Sequence, residues 1–172
     1  ADVWTFDADE RDFSVDGGGS QGGSVPDGSA PAAGTKYKGC YVLKSEKTDV
    51  GTRVTLIAPR GKNKIEFQEN DQASIQAALY QAMPALVEEG IDNWRLPTLD
   101  ELRYISENYN EVLGTKLVDL GLEHIGKGSM LYFLDSDGSI KCFCLANGEI
   151  FSPKDSKNGT YLRPFATLMF TE

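Results

Sequence analysis

The sequence has few of the residues that metal sites, membrane spans and secretion signals require. Histidine occurs once, at His124, and the only cysteines are Cys40, Cys142 and Cys144. A structural zinc site needs about four such ligands, and His124 is far from the cysteines in sequence, so we expect no metal and no cofactor. No apolar run approaches the roughly 20 residues of a membrane-spanning helix. The first residues also lack the charged and apolar regions of a signal peptide.

Basic residues are too few, and too dispersed, for a nucleic-acid-binding surface. The formal net charge is −9 and the pI is about 4.6. Residues 1–16 contain six acids and only Arg11 as a base, and Asp27 adds a seventh acid. The rest of the chain has 19 acidic and 16 basic side chains, a net charge of −3. Phosphate-backbone binding requires a large electropositive field, so we expect no nucleic-acid partner.

The three cysteines leave two alternatives open. Cys142 and Cys144 lie two residues apart in a strand-like stretch, so both side chains lie on one face and are poorly placed to bridge each other. One of them could pair with Cys40. The favoured alternative is that the thiols are buried as small apolar groups.

Composition divides the chain into three segments. Residues 1–15 form an acidic segment with strand-like stretches, residues 16–35 are rich in glycine and serine, and residues 36–172 carry the regular periodicities. The middle segment cannot bury enough apolar surface to offset its ordering entropy, which predicts a passive spacer. The last segment is therefore the folded domain.

The apolar stretch near the start is a candidate contact segment. Val3, Trp4 and Phe6 alternate with Thr5 like the residues of a short strand. Such a strand either caps the domain's own sheet, which we favour, or pairs with the sheet edge of another subunit.

Periodicity within residues 36–172 predicts an α+β fold, a single domain with two to three helices and a mostly antiparallel sheet. The predicted strands are Gly39–Leu43, Arg53–Ile57, Lys64–Phe67, Met130–Leu134, Ser139–Leu145, Glu149–Phe151 and Tyr161–Phe170. Turns are predicted at Asp135–Gly138 and Asn147–Gly148.

Three stretches are predicted to be helical. An apolar stripe from Ile75 to Val87 predicts a helix capped by Asn70 or Asp71 and kinked at Pro84. Thr98 and Glu101 form a capping-box pattern, which predicts a helix starting at Leu99. The third stretch is 111–120.

No arrangement of residues indicates catalysis. A calcium-binding EF-hand loop beginning at Asp135 would need glycine at Ile140 and glutamate at Ala146. His124 has no recognised nucleophile context, and the GxSxG, HExxH and Walker A motifs do not occur. We therefore expect no catalytic residues, and a chain that is not an enzyme.

Trp94 and Arg95 are adjacent candidates for ligand binding. An aromatic ring beside a guanidinium can stack on a sugar or hold a carboxylate. The favoured alternative is structural, with Trp94 in the core and Arg95 packed between elements, because both directly precede a capped helix.

The stretch Asp92–Leu102, which contains Trp94-Arg95-Leu96-Pro97-Thr98, resembles the W-R-L-P-T-x-x-E-L signature of the Lcl C-terminal domain family, also called the Fibrobacter major paralogous domain. The resemblance covers about residues 52–172. Leu131–Leu134 corresponds to the family's aromatic strand, and Tyr161–Phe165 is similar to its closing strand. Tyr132 and Arg163 lie in these strands, and we include them with Trp94 and Arg95 as candidate ligand-binding residues.

The resemblance implies a function outside the cell. Domains of this family occur in exported bacterial surface proteins and adhesins, and similar modules accompany fimbrillin-like proteins. RLPT is also shared with formylglycine-generating-enzyme-like domains, so the resemblance further implies a C-type-lectin-like fold. We expect a secreted, non-catalytic surface module that binds a glycan or protein, with a lipid anchor upstream of residue 1 as one means of attachment. The alternatives are a structural or accessory subunit of a fimbria or envelope assembly, and an enzyme of unrecognised type.

Overall fold

The computed structural model describes residues 29–63, 65, 71–87, 90–153 and 160–171. The candidate contact residues Val3, Trp4 and Phe6, most of the spacer, and all of the predicted strand Lys64–Phe67 except Ile65 lie outside these residues. Ile65 itself is buried and belongs to no strand.

Strands and helices alternate in blocks along the described chain. The strands are β1 (Lys36–Tyr37), β2 (Cys40–Thr48), β3 (Gly51–Ile57), β4 (Lys62–Asn63), β5 (Met130–Leu134), β6 (Ile140–Cys144), β7 (Ile150–Phe151), β8 (Thr160–Leu162) and β9 (Phe165–Phe170). The helices are α1 (Gln72–Ala82), α2 (Leu99–Glu107), α3 (Tyr109–Val112) and α4 (Lys116–Asp119). The α+β class is confirmed, although the strands form two mostly antiparallel sheets instead of one. The C-type-lectin-like fold stays a prediction.

The described chain divides into two compact units. The first unit contains residues up to 57 together with 88–94 and residues from 166 onward, and the second contains 58–87 and 95–165. We refer to them as the first unit and the second unit.

The first unit is built on a four-stranded sheet in the order β1-β2-β3-β9. Lys38 and Gly39 both have positive φ angles, 48° and 82°, which suits the two-residue turn that joins β1 to β2. One face of the sheet carries the apolar core of this unit. Its buried members are Cys40, Val42, Val54, Leu56, Ile91, Ala166, Leu168 and Phe170.

The second unit is built on a five-stranded sheet in the order β4-β8-β5-β6-β7. The β5–β8 pair is parallel, whereas the other pairs are antiparallel. Ile75 and Leu79 of α1 share a core cluster with Tyr132 and Cys142 on one face of this sheet. Successive strand residues face opposite sides, so Phe133 lies on the other face.

Both long helices begin where the capping residues predict. The Asp71 side chain accepts a hydrogen bond from the Ser74 amide at the start of α1. At α2, the Thr98 side chain accepts from the Glu101 amide, and the Glu101 side chain accepts from the Thr98 amide, which confirms the capping box. At the predicted kink, α1 ends at Ala82 and the chain continues as a 3₁₀ helix over Met83–Leu86.

Two predicted elements are wrong in extent. The stretch Tyr161–Phe170 is not one strand: β8 and β9 belong to different sheets, and Arg163 and Pro164 separate them. Pro164 has no amide hydrogen to donate to a ladder, while its carbonyl accepts from the Ala58 amide at 2.9 Å. The predicted helical stretch 111–120 is divided into α3 and α4 by Gly114, whose φ angle is 45°.

The cysteines and turns follow the favoured predictions. None of the three cysteines, all within the described residues, forms a disulfide. Cys40 and Cys142 are buried as predicted, whereas Cys144 is only half-buried. The turn Asp135–Gly138 joins β5 to β6, and the Gly138 amide donates to the Asp135 carbonyl at 2.9 Å.

Candidate functional site

The segment that precedes α2 is fixed by its backbone. The Arg95 amide donates to the Phe165 carbonyl at 2.8 Å, and the Phe165 amide donates to the Arg95 carbonyl at the same distance. Leu96 and Pro97 are buried on the way to the helix. The backbone position from which the Arg95 side chain extends is therefore fixed.

The Arg95 guanidinium is held by the Glu101 carboxylate. Its Nη1 and Nη2 atoms donate to Glu101 Oε1 at 2.9 Å and Glu101 Oε2 at 2.7 Å, and Nη1 also donates to the Leu96 carbonyl at 3.1 Å. Glu101 Oε1 simultaneously accepts from the Thr98 amide at 2.9 Å. One carboxylate thus caps α2 and fixes the plane of the guanidinium, which is the bidentate geometry that arginine permits and lysine does not.

Tyr80 of α1 completes this arrangement. Burial raises the pKa of Tyr80, and the positive charge of Arg95 and a hydrogen bond with the Leu96 backbone oppose that rise. The phenol is therefore close enough to Arg95 to feel its charge. We call Tyr80, Arg95 and Glu101 the Arg95 cluster.

The Arg95 cluster is partly open to solvent. The side chain of Arg95 is 30% exposed and that of Glu101 is 15% exposed. Because Glu101 compensates the charge of Arg95, the exposed guanidinium is better suited to stacking and neutral hydrogen bonding than to binding a free anion. Tyr80 adds an aromatic ring and a hydroxyl, the combination that recognises hydroxylated ligands such as sugars.

Tyr132 does not face solvent. It lies on β5 in the core of the second unit and is fully buried. Burial raises the pKa of Tyr132 to about 12, with the nearby Cys142 thiol adding to the rise. The Tyr132 hydroxyl is buried without a hydrogen-bond partner. The tyrosine therefore remains protonated and serves as packing in this structure.

Arg163 is also fully buried, and it joins three parts of the second unit. Its Nε donates to the Ala58 carbonyl at 2.6 Å and its Nη1 donates to the Tyr161 hydroxyl at 2.7 Å. The Tyr161 hydroxyl in turn donates to the Glu123 carboxylate. Burial lowers the pKa of Arg163, and the chain through Tyr161 to Glu123 is the route by which a carboxylate offsets its charge.

The buried parts of this network are not fully satisfied. The Nη2 atom of Arg163 is buried and has no hydrogen-bond partner. Burial also raises the pKa of Tyr161 well above its usual value. A structural role as a clamp between Ala58 and β8 accounts for both bonds that Arg163 makes.

Trp94 belongs to the first unit, where it packs against the apolar core. Its Nε1 atom is buried without a hydrogen-bond partner. The neighbouring Asn93 side chain donates to the Thr167 carbonyl at 2.7 Å and so ties this segment to β9. The exposed part of Trp94 is available for contact, whereas its polar atom is not.

The four candidate ligand-binding residues therefore differ in accessibility. Tyr132 and Arg163 are buried, while Arg95 and part of Trp94 reach solvent. Sequence reasoning missed Tyr80, because its position next to Leu79 on α1 places it beside the apolar stripe and nothing local connects it to Arg95. Glu101 was recognisable as a cap, but its second role depends on Arg95.

Outside the Arg95 cluster, the described polar side chains include two further groups, Arg163 with Tyr161 and Glu123, and Lys141 with Asp135 and Asp137. His124 is exposed. Within the part of the chain that the structure describes, no three histidine, cysteine or acidic residues are grouped to hold a metal ion. None of the described helices is long and apolar enough to cross a membrane.

Comparison with known proteins adds no relative. No protein-family model matches the chain, and no curated protein or solved structure matches it either. The resemblance to the Lcl C-terminal domain family consequently stays a hypothesis that depends on the stretch around Trp94–Thr98.

Proposed function

We propose that this chain is a non-catalytic, exported module of the bacterial surface that binds an external ligand, with the Arg95 cluster as part of the contact surface. The observation that carries the proposal is the state of Arg95: its guanidinium is planar, fixed by two bonds to Glu101, compensated in charge and still 30% exposed beside Tyr80. A preorganised side chain loses little conformational entropy on binding, which favours recognition.

The chemistry of the cluster favours a neutral hydroxylated ligand, in particular a glycan. A sugar ring offers C–H faces to the Tyr80 ring and hydroxyls to the tyrosine oxygen and the guanidinium edge. An acidic ligand would compete with Glu101 for the same donors and would leave that half-buried carboxylate without its partner. We therefore expect neutral glycans to bind better than sialylated or sulfated ones.

The proposal that the chain is non-catalytic is supported by the structural contacts that its polar side chains make. Thr98 and Glu101 cap α2, and Arg163 bonds to Ala58 and Tyr161. Each of these groups is bound to a neighbour in a way that stabilises the fold. The export part derives from the resemblance of Trp94–Thr98 to the surface family, and it predicts a secretion signal in the gene upstream of Ala1.

The full chain can be tested on an immobilised panel of neutral and acidic glycans. Tyr80→Phe removes only the hydroxyl of the Arg95 cluster, and the loss of one hydrogen bond of about 1 kcal/mol should weaken binding about fivefold. Tyr104→Phe is the matched control, since Tyr104 is a half-buried tyrosine on α2 outside the cluster. Equal loss of binding in both variants, or no glycan bound by the parent chain, contradicts the proposal.

A further inference from the structure

A groove of about 620 Å³ crosses one end of the sheet in the first unit. Ser45 of β2, Thr52 of β3 and Phe170 of β9 line it from three neighbouring strands. The segment Ser29–Ala32 lines it from the side. The groove is therefore formed by the sheet and by the first residues that the structure describes.

The groove lies on the core side of this sheet. Phe170 belongs to the apolar core of the first unit and makes an edge-on ring contact with Tyr37, with centroids 5.6 Å apart. Thr52 lies two residues before Val54 of the same core, so both side chains lie on one face of β3. Lys47 lines the groove and is in register with Thr52. The face of the sheet that carries the core thus continues into the groove, where the polar side chains of Lys47 and Thr52 lie around the buried Phe170.

We propose that this groove is the docking site of the chain's own N-terminal segment Val3–Phe6. That segment lies outside the described residues, and the chain that follows it enters the described structure at Ser29, in the wall of the groove. The 22 residues between Phe6 and Ser29 span up to about 75 Å when extended. A glycine-rich sequence of this length has an average end-to-end distance of about 25 Å, so its length permits a return to the groove.

Charge complementarity supports this occupant. Residues 1–28 carry seven acids and one base. The described residues of the first unit carry five bases and three acids, and one of those bases, Lys47, lines the groove. The acidic residues that flank the apolar segment, among them Asp2 and Asp7, would therefore approach a surface of opposite charge.

The covalent connection between Val3–Phe6 and Ser29 favours the chain's own segment over that of a second copy as the occupant. Covalent connection through 22 residues gives an effective concentration on the order of millimolar, so a neighbouring copy competes only at comparable protein concentrations. Docking within one chain covers the end of the apolar core with Val3, Trp4 and Phe6. It also makes the groove unavailable to other extended peptides.

The proposal can be tested by the environment of Trp4 in the full chain. Trp4 and Trp94 are the two tryptophans, so Trp94→Phe leaves Trp4 as the only indole emitter. We expect a blue-shifted emission maximum and weak quenching by acrylamide, independent of protein concentration. Lys47→Glu reverses a charge in the groove and should shift the emission to that of an exposed indole.

Arg53→Glu is the matched control. Arg53 is in register with Glu46 and lies one residue after Thr52, so its side chain is on the opposite face of the same sheet. It should leave the emission of Trp4 unchanged. If Trp94→Phe does not fold, the two resonances of 5-fluorotryptophan in the parent chain, assigned with Trp4→Phe, give the same readout.

Three outcomes would overturn the proposal. The first is a Trp4 whose emission in the Trp94→Phe chain is quenched by acrylamide as strongly as that of a fully exposed indole. The second is an equal response to Lys47→Glu and Arg53→Glu. The third is protection of Trp4 that appears only with a concentration-dependent dimer in light scattering, because the occupant is then the segment of a second copy.

Discussion

Arg95 and Glu101 are joined by two nearly parallel hydrogen bonds of 2.9 and 2.7 Å, and the same Glu101 side chain accepts the Thr98 amide. The Glu101 carboxylate therefore connects Arg95 to the first turn of α2. Glu101 is the shared partner in this stretch: it accepts from the Arg95 guanidinium and from the Thr98 amide, and its own amide donates to the Thr98 hydroxyl.

Thr98→Ala should lower the free energy of unfolding by about 1 kcal/mol, because the Glu101 amide loses the side-chain oxygen that caps it. Chemical denaturation followed by the helical circular-dichroism signal, which comes from the second unit, measures the change. Thr115→Ala is the control, since Thr115 precedes α4 without making a side-chain cap bond. Identical midpoints and slopes for Thr98→Ala and the parent chain would rule out a role for the cap.

Arg95→Lys should cost about 1–2 kcal/mol although it preserves the charge, because lysine cannot make two parallel bonds to Glu101. Arg103→Lys on the exposed side of α2 should be close to neutral. Thermal unfolding of both variants distinguishes geometry from charge. If the two substitutions cost the same, the fixed plane of Arg95 has no energetic importance.

Gly61→Ala should destabilise the chain by about 1–3 kcal/mol, as overpacking does in a well-packed site. A Cβ atom on Gly61 would lie 2.1 Å from the ring of Tyr161, whose hydroxyl bonds to Arg163 and Glu123. Gly128→Ala is the control, because a Cβ there meets nothing within 4 Å. The prediction fails if both alanine variants melt at the same temperature.

The polar contacts at the turn between β5 and β6 should add stability only while Asp135 and Asp137 are charged. Hydrogen bonds from Lys141 and the Ser136 amide lower the pKa of Asp135, and those from Ser139 lower the pKa of Asp137. Folded-state pKa values below the ordinary 3.8 contribute stability that is present above that value and is lost as the pH falls through them. The same contacts raise the pKa of Lys141, so its contribution is lost only at strongly alkaline pH.

Lys141→Met tests this dependence. The melting temperature of the variant should lie below that of the parent at neutral pH, by a small amount because Asp137 is exposed and Lys141 is partly open to solvent. The two values should converge below pH 3.8. A constant difference between pH 7 and pH 2 would show that the contribution of Lys141 does not depend on the charges of the two aspartates.

Local chemistry was sufficient to predict the helix starts and the turns from the sequence. Thr98 with Glu101, Asp71, and Gly138 each act through neighbours within a few residues, so their patterns are visible without the fold. The division at Pro164 was not predictable in the same way. An apolar run from Tyr161 to Phe170 satisfies the requirements of one strand, and only tertiary pairing assigns its halves to two sheets.

The candidate site shows the same distinction. Arg95 could be selected from the sequence because it adjoins Trp94 and a cap. Tyr80 could not, since it reaches Arg95 only through the packing of α1. The burial of Tyr132 and Arg163 likewise depends on which strands become central, so an aromatic or charged residue in a strand does not reveal whether it meets solvent.

The most direct test of the account is a titration of the ¹⁵N-labelled full chain with a neutral oligosaccharide selected from the glycan panel, followed through the arginine Nε–H resonances. We predict that the resonance of Arg95 shifts in a saturable manner and that the resonance of Arg103 does not shift. Tyr80→Phe should weaken the apparent affinity while lowering the free energy of unfolding by no more than about 1 kcal/mol, as judged from its melting temperature. An Arg95 resonance that is unmoved while resonances elsewhere saturate would contradict the assignment of the ligand surface to the Arg95 cluster.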